Sequence, residues 1–316
     1  MLQVVSFLYF ASLAFALNIA DYPPMNQIPP INSAWGQNIL KNQIKDTGII
    51  SNCPNVDSWG LTYDDGPGAF TDSVVNDLGS VNIKSTFFVV GSQVLQYPNS
   101  LLNAYKAGHQ IAIHTWSHQS LVNITDDEII SEIVWTARII RDVIGVTPSM
   151  IRPPYGNVDD RVQKIITNLG LKTILWNRDT SDWCFSTIPP SAPCASTDVP
   201  TIIPGYFEKW ISEPLNGTIS LEHDLAEIPS KQILPSLKVL LTSKYKVTSV
   251  AECLSVNAYD ENLWNRLNGV ENVLNNTTNN GKNTTTTKNN DTRSNGGDII
   301  NFSIGIVIIS MICMFV

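Results

Sequence analysis

The sequence predicts an α/β protein built on a parallel sheet. Short apolar runs rich in β-branched and aromatic residues alternate with helical runs about seven times. Unusual polar residues gather at the C-terminal ends of five of those apolar runs, the end at which a parallel barrel carries its chemistry. The runs show no internal repeat.

The elements follow from about Ser58. The run WGLTY (59–63) is a short strand, and TDSVVNDLGS (71–80) is helical with Thr71 or Asp72 as its cap. KSTFFVV (84–90) is a strand, NSLLNAYKAGH (99–109) a helix closed by Gly108, and QIAIH (110–114) a strand. The clearest helix is 125–145. Thr125 and Glu128 form a capping box, and Ile129, Ile133, Ala137, Ile140 and Ile144 recur on one face. SMIRPPYG (149–156) precedes a helix over 159–170 with Gly170 at its end. LKTILW (171–176) and GTISLEHD (217–224) are strands. ILPSLKVLLTSKY (233–245) is helical with Pro235 near its first turn, and the folded region closes on KVTSV (246–250). Residues 17–50, rich in Pro and Asn, read as an irregular lead-in to a domain over 51–255. Pattern alone leaves the sheet open or closed into a barrel.

The ends read as targeting segments. Residues 1–16 are apolar and finish on Ala14-Phe15-Ala16, the pattern of a cleaved secretory signal, although a basic n-region is absent. Residues 256–298 read as an Asn/Thr-rich glycosylated stalk. Residues 299–316 are an apolar tail without a basic stop, which reads as a glycolipid (GPI) anchor signal removed on maturation, with attachment at Asn295. The alternative for the tail is a retained transmembrane helix. Sequons at Asn123, Asn216, Asn275, Asn276, Asn283 and Asn290 agree with export. In an oxidising compartment the four cysteines outside the tail are expected as disulfides. Local economy pairs Cys184 with Cys194, and Cys53 with Cys253. The net charge of −8 includes no basic stripe, which excludes a nucleic-acid partner; no protein partner is implied.

The polar residues carry the chemistry. Asp64 and Asp65 follow the first strand, His114 and His118 follow QIAI, and Arg152 ends SMIR. Asp179 and Asp182 follow LKTILW, and His223 and Asp224 end GTISLE. HTWSH sets two imidazoles four apart, the spacing of one face of a helical turn and of a chelating pair. Thr115, Trp116 and Ser117 supply no acid between them, so a carboxylate ligand must come from another strand, and the Asp64-Asp65 pair is the obvious source. One of those aspartates is expected to bind a cation and the other to accept a proton. A glycosidase needs two carboxyls on opposite sides of the bond, and beyond the adjacent Asp64 and Asp65 no other pair stands out; a serine hydrolase needs a G-x-S-x-G elbow, and none occurs. His109 reads as structural, at a helix end where a cation suits the dipole.

Five ordered motifs resemble those of the polysaccharide deacetylases, carbohydrate esterase family four with the NodB-like domain, and most of all the fungal chitin deacetylases. They are T-Y-D-D-G-P (62–67), H-T-W-S-H (114–118), R-P-P-Y (152–155), D-T-S-D-W (179–183) and L-E-H-D (221–224). Tyr63 for Phe is the one departure. The resemblance spans about 58–250. It implies a single NodB-like domain, a distorted (β/α)7-type barrel. It also implies that Asp65, His114 and His118 bind a divalent metal, zinc or cobalt, that Asp64 is the general base, and that Arg152 keeps Asp64 ionised. His223 would be the general acid oriented by Asp182, the Tyr155 N–H would serve the oxyanion, and Trp183 and Trp176 would line the cleft. Asp179 reads as either a turn or a catalytic residue, and Asp224 as a cap or turn. The implied reaction is N-deacetylation of chitin or chitooligosaccharides to chitosan and acetate, by a secreted enzyme at the cell wall or outer membrane face. The alternatives are another acetylated polysaccharide, or a non-catalytic chitin-binding wall protein.

Overall fold

The computed structural model describes residues 17–185, 199–214 and 216–269. Among these, nine strands form one sheet, and every strand pairing in it is parallel. The strands are β1 (Ile49–Ile50), β2 (Ser58–Asp64), β3 (Thr86–Val89), β4 (Gln110–Ile113) and β5 (Met150–Ile151). β6 (Lys172–Ile174), β7 (Arg178–Asp179), β8 (Thr218–His223) and β9 (Lys246–Thr248) complete it. Their order is β1-β6-β5-β4-β3-β2-β8-β7. β8 lies along one side of β2; the other side pairs with β9 through its N-terminal half and with β3 through its C-terminal half. The sheet is therefore a curled half-barrel, open between β1 and β7, which is the distorted barrel expected from the sequence.

Around it stand α1 (Ser33–Ile39), α2 (Thr71–Ser80), α3 (Gly91–Gln96), α4 (Pro98–Lys106) and α5 (Asp126–Ile144). These are followed by α6 (Asp160–Asn168), α7 (Val199–Ser212), α8 (Glu227–Leu240), α9 (Val250–Leu254) and α10 (Asn262–Leu267). Alternate strand residues feed two apolar clusters, because successive side chains point to opposite faces. Phe88, Ala112, Met150, Ile174 and Ile219 form one. Leu61, Tyr63, Phe87, Ile111 and Ile113 join the larger one, with Val74, Leu78, Ile133 and Ile140 from the helices. Each Val, Leu, Ile, Phe or Met among them contributes about 1.5–3 kcal/mol on burial.

Several expectations hold in detail. α2 and α5 form where the pattern put them, and α5 carries both halves of the Thr125–Glu128 capping box and ends at Gly145 with φ 80°. Others are corrected. α2 has no side-chain cap, since Thr71 is its first helical residue and turns its hydroxyl to Asp224 instead. The helix expected to begin at 233 starts at Glu227, so Pro235 lies in its interior. His109 is buried, which pushes its imidazole down to about 4, and its Nδ1 accepts the Ser85 N–H. It is thus neutral and plays no part as a cation at the helix end.

The packed chain runs past both 51 and 255. In the lead-in, α1 packs on α10 and α5, and Tyr22 stacks on Trp116. Beyond 255, Leu263 and Leu267 of α10 are buried. Cys53 and Cys253 form a disulfide, and Cys184 is also disulfide-bonded. Cys194, its expected partner, lies outside the described residues, as do residues 1–16, Asn275, Asn276, Asn283, Asn290, Asn295 and the 299–316 tail. Asn123 and Asn216 are exposed. No helix among the described residues is long and apolar enough to cross a membrane.

Candidate functional site

The parallel register brings the acidic and basic residues to one level. Asp64 is the last residue of β2 and His223 the last of β8, and the two are paired across the sheet. His114 directly follows β4 and Arg152 directly follows β5. Asp64, His114 and His223 open onto a cleft of about 400 Å3 whose wall also includes Tyr155, Trp176, Asp179 and Trp183, while Arg152 is buried behind it.

The adjacent aspartates share this cleft because the backbone turns between them. Asp65 has φ 76°, so its side chain does not alternate away from that of Asp64. Asp65 Oδ1 lies 3.2 Å from His114 Nε2 and 3.1 Å from His118 Nε2. Asp64 Oδ2 is 3.8 Å from the same His114 nitrogen. The histidine pair is not on a helix. Residues 114–118 form a loop in which Thr115 (φ 68°) and His118 (φ 60°) are both left-handed. Such conformations cost on the order of 1–3 kcal/mol each in non-glycine residues and persist only where surrounding contacts impose them. The spacing expected from a helical turn is thus produced by a strained loop instead.

The donor set fits a metal ion. His114 Nδ1 sits 2.7 Å from the Arg152 carbonyl, which can only accept, so the proton is on Nδ1 and the Nε2 lone pair faces the cleft. Asp65 Oδ1 is buried and has no hydrogen-bond donor. With His118, three ligand atoms lie within 4.8 Å of one another. With His118 Nε2 unprotonated as well, the converging lone pairs repel unless a cation occupies the centre. Metal–ligand bonds of about 2.0–2.1 Å put tetrahedral ligand atoms roughly 3.3–3.4 Å apart, close to the spacings seen.

Asp64 is held differently. Arg152 is fully buried and its Nη1 lies 2.6 Å from Asp64 Oδ1 and 2.7 Å from Thr62 Oγ1. The guanidinium also donates to the Ile174 and Leu175 carbonyls and stacks 4.1 Å over Phe88. Its charge is therefore fully paired where desolvation alone would be prohibitive.

His223 forms the opposite pole. Its Nδ1 is 2.6 Å from Asp182 Oδ1, its backbone N–H donates to Asp182 Oδ2 at 2.8 Å, and its Nε2 is 3.9 Å from Asp65 Oδ2. Burial disfavours the imidazolium, but the Asp182 carboxylate, with Asp65 and Asp64 behind it, pushes the pKa up to about 10. Asp182 is itself buried in a short turn over Asp182–Phe185 that follows Ser181 at φ 53°. Asp179 accepts the Ser181 N–H at 2.7 Å, which is the turn role, while also lining the cleft. Asp224 is structural: it takes the Thr71 hydroxyl at 2.5 Å and fills the space that a side chain at Gly66 would need.

The aromatic rim is exposed. Tyr155 is 65% exposed at φ 61° and meets the His118 ring edge-on at 4.7 Å, and Trp183 is 45% exposed. Trp176 stands behind Gly156 and stacks on Arg152 at 5.4 Å. All ten expected site residues thus meet at one cleft or directly behind it. Sequence reading missed Glu132, which it passed over as part of an amphipathic helix; a charge wedged between Ile129 and Ile133 on the apolar face was the available signal.

Residues 51–174 match the polysaccharide deacetylase family. Residues 51–174 are thus a polysaccharide deacetylase domain. It is 36% identical to chitin deacetylase 1 of Cryptococcus neoformans over 287 residues, covering 76% of this chain and 60% of that protein. It is 33% identical to the chitin deacetylase of Amylomyces rouxii over 70% of this chain and 52% of that protein. The chain therefore spans between half and two thirds of the length of these relatives. The fold is that of the chitin deacetylase structure from Colletotrichum lindemuthianum, with a TM-score of 0.61 at 24% identity over 69% of this chain and 97% of that one. Polysaccharide deacetylases with this NodB-like barrel are metal-dependent, and the Asp65–His114–His118 cluster is a possible metal site.

Proposed function

We propose that the chain hydrolyses N-acetyl groups of a β-1,4-linked N-acetylglucosamine polymer, chitin or its oligosaccharides, to give chitosan and acetate. The observation that carries this reading is the flanking of one three-ligand cluster by an Arg-paired carboxylate, Asp64, and a carboxylate-paired imidazole, His223. Asp65, His114 and His118 would hold a divalent cation, zinc or cobalt, which would supply Lewis-acid polarisation of the acetyl carbonyl and lower the pKa of water.

The chain's own groups do the rest. Asp64, ion-paired with Arg152, takes a proton from the attacking water. The acetyl carbon–nitrogen bond breaks, and His223 gives its Nε2 proton to the departing amine, so that water is divided between acetate and the amino sugar. Asp182 holds His223 in the right tautomer. The Tyr155 backbone N–H assists charge on the carbonyl oxygen. Exposed Tyr155 and Trp183 offer faces for sugar rings.

The setting proposed with it is secretion, supported by the Cys53–Cys253 disulfide and the exposed sequons at Asn123 and Asn216. A glycolipid anchor would then place the enzyme at the wall or outer membrane face. Acetate release from a panel of acetylated polymers, before and after chelation, tests the reading. Chelator-sensitive release from chitin oligomers supports it. Release from a different acetylated polysaccharide alone moves the substrate, and chitin binding with no release makes the protein a binder.

A further inference from the structure

We propose that Glu132 is a positioning residue that fixes His118 as a ligand and so sets the affinity of the site for its divalent cation. This rests on the metal assignment above. Glu132 is fully buried on α5. Its Oε2 accepts the backbone N–H of Trp116 at 2.7 Å and of Ser117 at 2.9 Å, and its Oε1 accepts the Ser117 hydroxyl. Three donors from the two residues just before His118 therefore converge on one carboxylate.

Those residues need such a clamp. The loop carries left-handed Thr115 and His118, so its local sequence does not select its shape. Other contacts hold its remaining sides. The Thr115 and Trp116 carbonyls accept from the Gly91 and Ser92 N–H groups at 2.9 and 3.1 Å, and the Trp116 indole donates to the Pro24 carbonyl at 3.0 Å. Among the described residues, only Glu132 accepts from the inward-facing Trp116 and Ser117 amides next to the ligand. Glu132 is not among the residues that line the cleft, so it acts through His118, whose Nε2 must stay within reach of Asp65 Oδ1. Removing the carboxylate strands two amides in the core, and the loop relaxes to find water, carrying His118 away. Partners behind metal ligands characteristically set affinity by about 10–100-fold.

The test is zinc titration of metal-stripped protein by calorimetry, with the apo Tm recorded in parallel. Glu132→Ala is expected to raise the zinc Kd about 10–100-fold. Glu132→Gln keeps an oxygen for both amides and is expected to stay within about threefold of wild type. Ile133→Ala, which opens a cavity at the next residue of the same helix, is expected to lower Tm without changing Kd. An unchanged Kd in Glu132→Ala, or an equal rise in Ile133→Ala, overturns the proposal. If Glu132→Ala is not recovered folded, Ser117→Ala removes one of the three donors, and a several-fold rise supports the clamp while no rise overturns it. Wild-type zinc binding in the same experiment tests the metal assignment separately from the clamp.

Discussion

Both oxygens of the Asp182 carboxylate are committed to His223, one to the ring Nδ1 at 2.6 Å and one to the backbone N–H at 2.8 Å. The residue is fixed in position and in tautomer by one partner, with its Nε2 turned to the cleft. The imidazolium is the acid form. A His223 pKa raised to about 10 keeps it protonated at neutral pH, and activity falls as pH rises through that value. Asp182→Asn removes the main raising influence and leaves burial, which lowers the pKa. The alkaline limb of kcat/KM is expected to move to lower pH, with kcat down about 100-fold or more at pH 8. A pH–rate profile of both proteins checks it; an unmoved alkaline limb contradicts it.

Asp64→Asn and His118→Ala should fail differently. The first removes a proton acceptor and keeps the ligands, so metal content stays near wild type while turnover drops about 10²–10⁴-fold. The second removes a ligand, so metal and turnover are lost together. Metal analysis beside acetate release separates them.

Arg152, directly after β5, is fully buried with Asp64 as its counter-charge. Arg152→Met leaves a buried carboxylate alone and is expected to cost about 3–5 kcal/mol of stability. Denaturant unfolding measures this, and a loss below about 1 kcal/mol would mean that the pair does not carry the packing assigned to it.

Glu222 gives a pH test away from the cleft. It is buried with Oε1 unpartnered, and burial, followed by the nearby Asp182 carboxylate, pushes its pKa well up. A carboxyl raised in the folded state lets the folded protein bind more protons above the ordinary range, so stability falls as pH rises from there. Glu222→Gln removes that loss. Its Tm is expected to match wild type near pH 4 and to exceed it increasingly toward pH 8.

Trp183→Ala removes an exposed ring face at the cleft and leaves the ligands alone. A stacking loss of about 1–1.4 kcal/mol corresponds to a KM roughly 5–10-fold higher for a chitin oligomer, with metal content unchanged. Steady-state kinetics on one oligomer decides this.

The site was legible to the extent that its residues sit at strand ends. Asp64, His114, Arg152 and His223 were found because a parallel sheet projects its C-terminal ends to one side, and the alternation of runs located those ends. The lead-in contacts of Tyr22 and Trp35 were not legible, since nothing periodic marks them. Neither was the geometry of the ligands. Asp65, Thr115 and His118 are left-handed without being glycine, and their shape is imposed by distant partners such as Glu132, Gly91 and Pro24. A spacing of four suggested a helical turn, and only tertiary contacts could replace that turn with a loop. Pro235 misplaced the start of α8 for a similar reason: a proline tolerated inside a packed helix looks, in sequence, like its beginning.

The most direct test is a titration of metal-stripped protein with zinc while acetate release from an N-acetylglucosamine oligomer is followed. Activity should be absent without metal, rise in proportion to added zinc and level off at one equivalent per chain, with His118→Ala silent throughout. Metal-free protein that still releases acetate at the full rate would contradict the account.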